Sequence, residues 1–182
     1  ARFSVASPAR SIEQGMALLT NDRKETGLIL DMSVCRNITL AACPHFIKCG
    51  HMNTRKERAV ADQHRSALGI RIHSLDQPAG SLSGGNQQKV VLAKWLETKP
   101  KVLLLDEPTR GVDVGAKHEI YELMNRWTAA GLAILLITSE MPELLAMSDR
   151  ILVLHRGRMT AEFARADATQ DRILKAAMGE AG

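Results

Sequence analysis

At 182 residues the sequence has the length of one ordinary domain, enough to bury roughly 70% of its unfolded surface. Hydrophobic residues at 45% and charged residues at 24% exclude a disordered, collagen-like or low-complexity chain. Lys+Arg of 24 against Asp+Glu of 20 leaves only +4, and the aromatics, 3% of the chain, are scattered singly. An excess this small does not imply nucleic acid without a local basic patch, and no base-stacking platform can be assembled, so nucleic acid is not the expected partner. Three cysteines, Cys35, Cys43 and Cys49, make no disulfide framework and suit a reducing cytosol. The start, Ala1-Arg2-Phe3-Ser4, has neither an initiator Met nor the apolar stretch of a signal peptide. The longest apolar run, Leu132 to Ile137, is far short of the ~20 residues of a bilayer span.

In chain order, Met16 to Leu19 reads as a short buried strand. Asn21-Asp22-Arg23-Lys24-Glu25 is a charged knot, equally readable as a solvated turn. From about Ser33 to Pro78 the text is helical and polar, broken by Pro44 and Gly50, with a charged helix over Arg55 to Leu68. Gln77 to Gly80 is a loop. Then the pattern becomes regular. A helix opens at Gly84-Gly85 and runs to about Thr98, and Lys101 to Asp106 is an apolar strand. A helix covers about Gly115 to Ala130, Leu132 to Thr138 is a second strand, and Pro142 to Met147 a short helix. Arg150 to His155 is a third strand, turned at Arg156-Gly157-Arg158, and Thr169 to Met178 closes with a helix. Apolar strands alternating with helices predict a parallel α/β sheet covered on both faces.

Two segments carry chemistry. In Leu82-Ser83-Gly84-Gly85-Asn86-Gln87, paired glycines at a helix start let backbone N–H groups approach an anion, and Ser83 can donate a hydroxyl hydrogen bond. The alternative is a flexible turn. In Val102-Leu103-Leu104-Leu105-Asp106-Glu107-Pro108, a buried strand delivers two carboxylates to the carboxyl edge of a parallel sheet, where ligands bind. Asp106 can hold Mg²⁺ and Glu107 can polarise an attacking water, unless the pair is a solvated strand end. Cys43, His45, Cys49 and His51 offer soft ligands within nine positions, a possible Zn²⁺ set, although the spacing is not a standard one and a variable surface loop is the favoured reading.

The order glycine cap, helix, acidic strand, then Thr109-Arg110-Gly111-Val112-Asp113, resembles the ATP-binding-cassette ATPases. The fuller text at Gly84 to Lys89, Arg110 to Lys117 and Ser139 to Glu143 is similar to the second cassette of the double-cassette subunits of bacterial ribose, galactoside and autoinducer-type importers. The resemblance implies a P-loop NTPase sheet, in part, with a helical subdomain over about 34–80 and the signature and Walker B half over about 81–182. It implies ATP and Mg²⁺ as ligands, with Leu82 to Gln87 as the signature that meets ATP held by another cassette. Asp106 and Glu107 become the Walker B metal ligand and catalytic glutamate, and Asp113 the D-loop residue. It further implies transmembrane permease subunits, a first cassette or second copy and, indirectly, a periplasmic sugar-binding protein as partners. The location implied is cytoplasmic, peripheral on the inner membrane.

Three departures qualify this. No G-x-x-x-x-G-K-[ST] loop exists, because none of the thirteen glycines is followed by Lys. In the family that Walker A strand–loop–helix precedes what is here Ala1, so the sequence is expected to be the C-terminal part of a longer protein. Ser139 occupies the position of the usual switch histidine, where it can cap the following helix but cannot shuttle protons as imidazole does. The Q-loop glutamine corresponds to Asn21, a shorter amide. The alternatives to an importer ATPase are a non-hydrolysing remnant, or a soluble cassette ATPase acting on ribosomes or DNA.

Overall fold

The computed structural model describes residues 7–179, so the Ala1–Ser4 start lies outside the described residues. The chain forms two compact units, residues 1–135 and 136–182.

In the first unit, α1 (Pro8–Glu13) leads into β1 (Met16–Leu19), and Arg23–Gly27 forms a single π-helical turn. The segment over 34–80 holds α2 (Val34–Thr39), a 3-10 stretch Leu40–Phe46, and a small antiparallel hairpin of β2 (Ile47–Lys48) and β3 (His51–Met52). The charged helix α3 (Thr54–Ala67) follows. Polar side chains start these helices by accepting the orphan first-turn N–H groups: Ser33 from Arg36 N at 3.3 Å and Asn53 from Lys56 N at 3.0 Å. The breaks expected at Pro44 and Gly50 take the form of the 3-10 stretch and the hairpin, because Pro44 cannot continue an α-helix and Gly50 takes φ +76°.

Helix α4 (Gly84–Leu96) is the centre of this unit. Val90, Val91, Leu92 and Ala93 are almost fully buried, so the helix is enclosed on more than one side. Each of the Val and Leu side chains contributes about 1.5–3 kcal/mol by leaving water. Helix α4 packs on β1 and α2, and β4 (Val102–Asp106) runs parallel to β1 in the register Met16↔Val102 to Leu19↔Leu105. The sheet order is β1-β4-β5, with β5 spanning Ala133–Ile137. Ala17, Leu19, Leu103 and Leu105 are buried, whereas Leu18 and Leu135 are about half exposed at 45% and 47%. The expectation of a sheet covered on both faces is therefore corrected. Helix α5 (Val114–Ala129) packs against α4.

In the second unit, α6 (Met141–Met147) precedes a hairpin of β6 (Arg150–His155) and β7 (Arg158–Ala164), closed by α7 (Gln170–Ala177). Its core is Ile151, Val153, Phe163, Ile173 and Ala176. The strand Arg150–His155 was expected in the parallel sheet; it pairs antiparallel with β7 in a separate two-stranded sheet. The turn explains the pairing: Arg156 and Gly157 both take positive φ, +48° and +77°, the geometry of a tight hairpin connection.

Candidate functional site

Helix α4 begins with Ser83 at its N-cap, yet no side chain caps it. The first-turn N–H groups of an α-helix have no acceptor within the helix, and the helix dipole places partial positive charge there. Ser83 Oγ instead accepts from Asn86 Nδ2 at 3.0 Å, which leaves the Ser83 hydroxyl proton to donate outward. Ser83 is exposed, Gly84 and Asn86 half-buried and Gly85 buried. Gly85 is demanded by packing, because a Cβ there would stand 2.6 Å from the Ala116 Cβ. One at Gly84 would stand 2.8 Å from an Arg23 guanidinium nitrogen and 3.1 Å from the Gly111 carbonyl oxygen. Leu82 is half-buried, and the Gln87 side chain turns inward, donating to the Ala79 carbonyl at 3.3 Å.

A cavity of about 240 Å³ adjoins this turn, lined among others by Ser83, Gly85, Asn86, Lys89, Asp113 and Glu119. Asp113 is the N-cap of α5, accepting from Ala116 N at 2.9 Å, so one residue both starts the helix and faces the signature turn. On the cavity wall Lys89 Nζ reaches Glu119 at 2.5 Å and the Gly69 carbonyl at 3.0 Å, and Arg71 reaches Glu119 at 3.1 Å.

The hydrogen bond from Lys89 holds the Glu119 carboxyl below its usual 4.5, with the Lys89 and Arg71 charges adding to it. A depressed carboxylate binds fewer protons folded than unfolded. Its stabilisation is therefore complete above about pH 4.5 and lost as pH falls through the folded value. The Glu119 side chain is 39% exposed, so solvent screens much of this effect. Urea unfolding at pH 7 and pH 3.5 should show a smaller acid loss in Glu119→Gln than in the wild type; identical losses would remove this pair from the acid response.

Asp106 ends β4 and Glu107 follows with φ +49°, a left-handed conformation that costs a non-glycine residue about 1–3 kcal/mol. Such strain gathers at functional sites, and here it redirects Glu107 away from the strand's alternation. The parallel register of β1 and β4 brings Thr20-Asn21 to the same sheet edge as Asp106-Glu107. Asn21 is exposed on a bend. Asp106 and Glu107 are half-buried, a donor set of hard oxygens chemically suited to Mg²⁺.

Ser139 lies in the second unit and is exposed. The N-cap position of α6 is Glu140 rather than Ser139, and Glu140 N donates to Thr138 Oγ1 at 3.0 Å. Glu140 precedes Met141 and Pro142, and the early proline lacks an N–H that would otherwise need capping. Cys43, His45, Cys49 and His51 are spread over the 3-10 stretch and the hairpin. Among the described residues no three His, Cys, Asp or Glu side chains are grouped to hold a metal.

Sequence reasoning missed Arg23. Its guanidinium reaches the Arg110 carbonyl at 2.8 Å, the Gly111 carbonyl at 3.2 Å and Gln87 Oε1 at 3.4 Å.

A helix start built on glycine, with no side-chain cap and with Ser83 exposed, is an arrangement for meeting a phosphate group across an open surface. The chain belongs to the ABC transporter family, whose profile matches residues 6–110. The ribose import ATP-binding protein RbsA of Oceanobacillus iheyensis is 45% identical over 181 residues, covering all of this chain and 36% of that protein. The protein of the same name from Geobacillus kaustophilus is 49% identical over 96% of this chain and 35% of its own length. The chain thus spans about a third of these relatives. The dimeric cassette MJ0796 bound to ADP and Pi matches with a TM-score of 0.70 at 20% identity, over 86% of this chain and 66% of that one. An inward-facing metal-chelate type ABC transporter matches at 0.75 and 18%, over 91% and 64%. The fold is that of an ABC cassette. No helix of the described residues is long and apolar enough to cross a membrane.

Proposed function

We propose that the chain is the second-cassette part of the ATP-binding subunit of a sugar importer, and that it serves a nucleotide held by another cassette. The observation that carries this reading is the open start of α4: an exposed Ser83 hydroxyl oriented by Asn86, over a Gly85 that packing on Ala116 forbids replacing. An anion presented to this turn gains the hydroxyl, the free first-turn amides and the positive end of the helix dipole. The bound nucleotide supplies the phosphoryl group and Mg²⁺ neutralises its charge. The chain's own residues then divide the work. Ser83, Gly84 and Gly85 receive the γ-phosphate of the other cassette's ATP, with Leu82, Asn86 and Gln87 shaping the turn. Asp113 sits beside it in the D-loop. Asp106 would hold Mg²⁺ and Glu107 would orient water where a P-loop completes the arrangement. In the family's sequence pattern Asn21 falls at the sensing position and Ser139 at the switch position.

The relatives' name, ribose import, supports a pentose-class cargo, with specificity residing in a periplasmic binding protein and permease subunits. The helical segment over about 34–80 would meet those permease subunits, and the protein would lie peripherally on the cytoplasmic face of the inner membrane.

No P-loop pattern exists in this sequence, and the P-loop amides and lysine provide most phosphate contacts in such ATPases. The chain alone is therefore expected to hydrolyse no ATP and to bind Mg-ATP only weakly. Calorimetric titration of the purified chain should give no saturable heat in the micromolar range. Micromolar binding by the chain alone would overturn this assignment of roles.

A further inference from the structure

We propose that Arg23 is a positioning residue that fastens the Ser83–Gly85 turn to the Arg110–Asp113 loop, so that the turn carrying Arg23 controls both segments at once. Guanidinium is planar and presents donors in a fixed fork, so one side chain can hold several acceptors in set directions. Here Nη1 takes the Arg110 carbonyl at 2.8 Å, Nη2 the Gly111 carbonyl at 3.2 Å and Nε the Gln87 Oε1 at 3.4 Å. All three acceptors are neutral, so the group acts through geometry rather than by pairing a carboxylate.

The surroundings are shaped to this fork. A Cβ at Gly84 would meet Nη2 at 2.8 Å, while Gly111 has φ +64° and faces both terminal nitrogens at 3.7 Å from its Cβ position. At Gly84 the missing side chain leaves room for the guanidinium, and at Gly111 the positive φ favours glycine in the loop that presents the carbonyls. The far end of the link is also fixed. Gln87 is buried and donates its N–H to the Ser83 carbonyl at 2.9 Å, so its side chain and the signature turn move as one. The near end is rigid too. Asp22 accepts from Lys24 N at 3.0 Å and Glu25 N at 3.1 Å, and Lys94 of α4 donates to the Gly27 carbonyl. The Arg23–Gly27 turn follows Asn21 directly, so a displacement at the exposed Asn21 bend reaches both phosphate-facing segments through one side chain. The functional consequence rests on the proposed function; the mechanical link does not.

Two measurements keep these apart. In the chain itself, Arg23→Gln should raise amide hydrogen exchange at Arg110 and Val112 about tenfold or more, with Arg23→Lys between it and the wild type. Both amides are bonded within the loop, to the Glu107 and Thr109 carbonyls, so they report its opening. Amides of α2, α3 and the β6–β7 hairpin should be unchanged. Unaltered exchange at Arg110 and Val112, or an equal rise at every amide, would overturn the proposal. In the second measurement the chain is paired with a P-loop-bearing cassette. Arg23→Gln should lower kcat at least tenfold with the KM for Mg-ATP unchanged, because Arg23 lies behind the turn and not on its face; Arg23→Lys should recover part of the loss. A raised KM with unchanged kcat would contradict it. Absence of hydrolysis with the wild-type chain would instead count against the proposed function, and the exchange result would still decide the link.

Discussion

In a two-cassette ATPase carrying this sequence as its second cassette, Ser83→Arg is expected to abolish most steady-state phosphate release, and Glu107→Gln much less. Ser83 is exposed at the uncapped start of α4, and its hydroxyl is turned outward by the Asn86 amide. An arginine there would fill the cavity of about 240 Å³ and remove the donor. Losing one preorganised donor costs about 3–4 kcal/mol, or roughly two to three decades in rate. On the proposed reading Glu107 serves a different nucleotide from the one Ser83 meets, and the sequence carries Ser139 and Asn21 where the family pattern has an imidazole and a longer amide for that nucleotide. Equal losses in the two variants would mean that the sites are equivalent.

The second large effect is structural. Gly85→Ala should destabilise the chain by about 1–3 kcal/mol, because the new methyl would meet the Ala116 Cβ at 2.6 Å and neither group is a flexible side-chain end. Gly115→Ala, in the first turn of α5, should be neutral or stabilising by up to ~1 kcal/mol. Its Cβ position meets only Asp113 Oδ1, at 3.4 Å, and its φ is not positive. Thermal unfolding of the two variants should separate them by several degrees for a chain of this size. If both lose equally, helix–helix contact does not explain the Gly85 requirement.

Much of the site was legible because its signals are local. A glycine pair ahead of an amphipathic run fixes where α4 begins, and an apolar run ending in Asp106-Glu107 fixes β4, both at the expected places. What local text does not carry is the choice of partner. The strand Arg150–His155 is as apolar as a parallel-sheet strand, yet its tight turn pairs it with β7. Helix starts shift by a residue because Thr138, Ser139 and Glu140 can each serve a cap, and the neighbouring backbone decides among them. Arg23 was invisible for a deeper reason. Two of its acceptors are backbone carbonyls 87 and 88 positions away, and a carbonyl has no signature in a sequence. The left-handed Glu107 is likewise unmarked, since strain at a non-glycine residue is imposed by the surrounding fold.

On the proposed reading this chain completes a nucleotide site whose phosphates are held by another cassette. The most direct test of this repeats the Mg-ATP titration in the presence of a P-loop-bearing cassette that cannot hydrolyse. The chain should join that cassette in sedimentation only when Mg-ATP is present, and Ser83→Arg should abolish the association. Association without nucleotide, or full Mg-ATP-dependent association of the Ser83→Arg chain, would contradict the account.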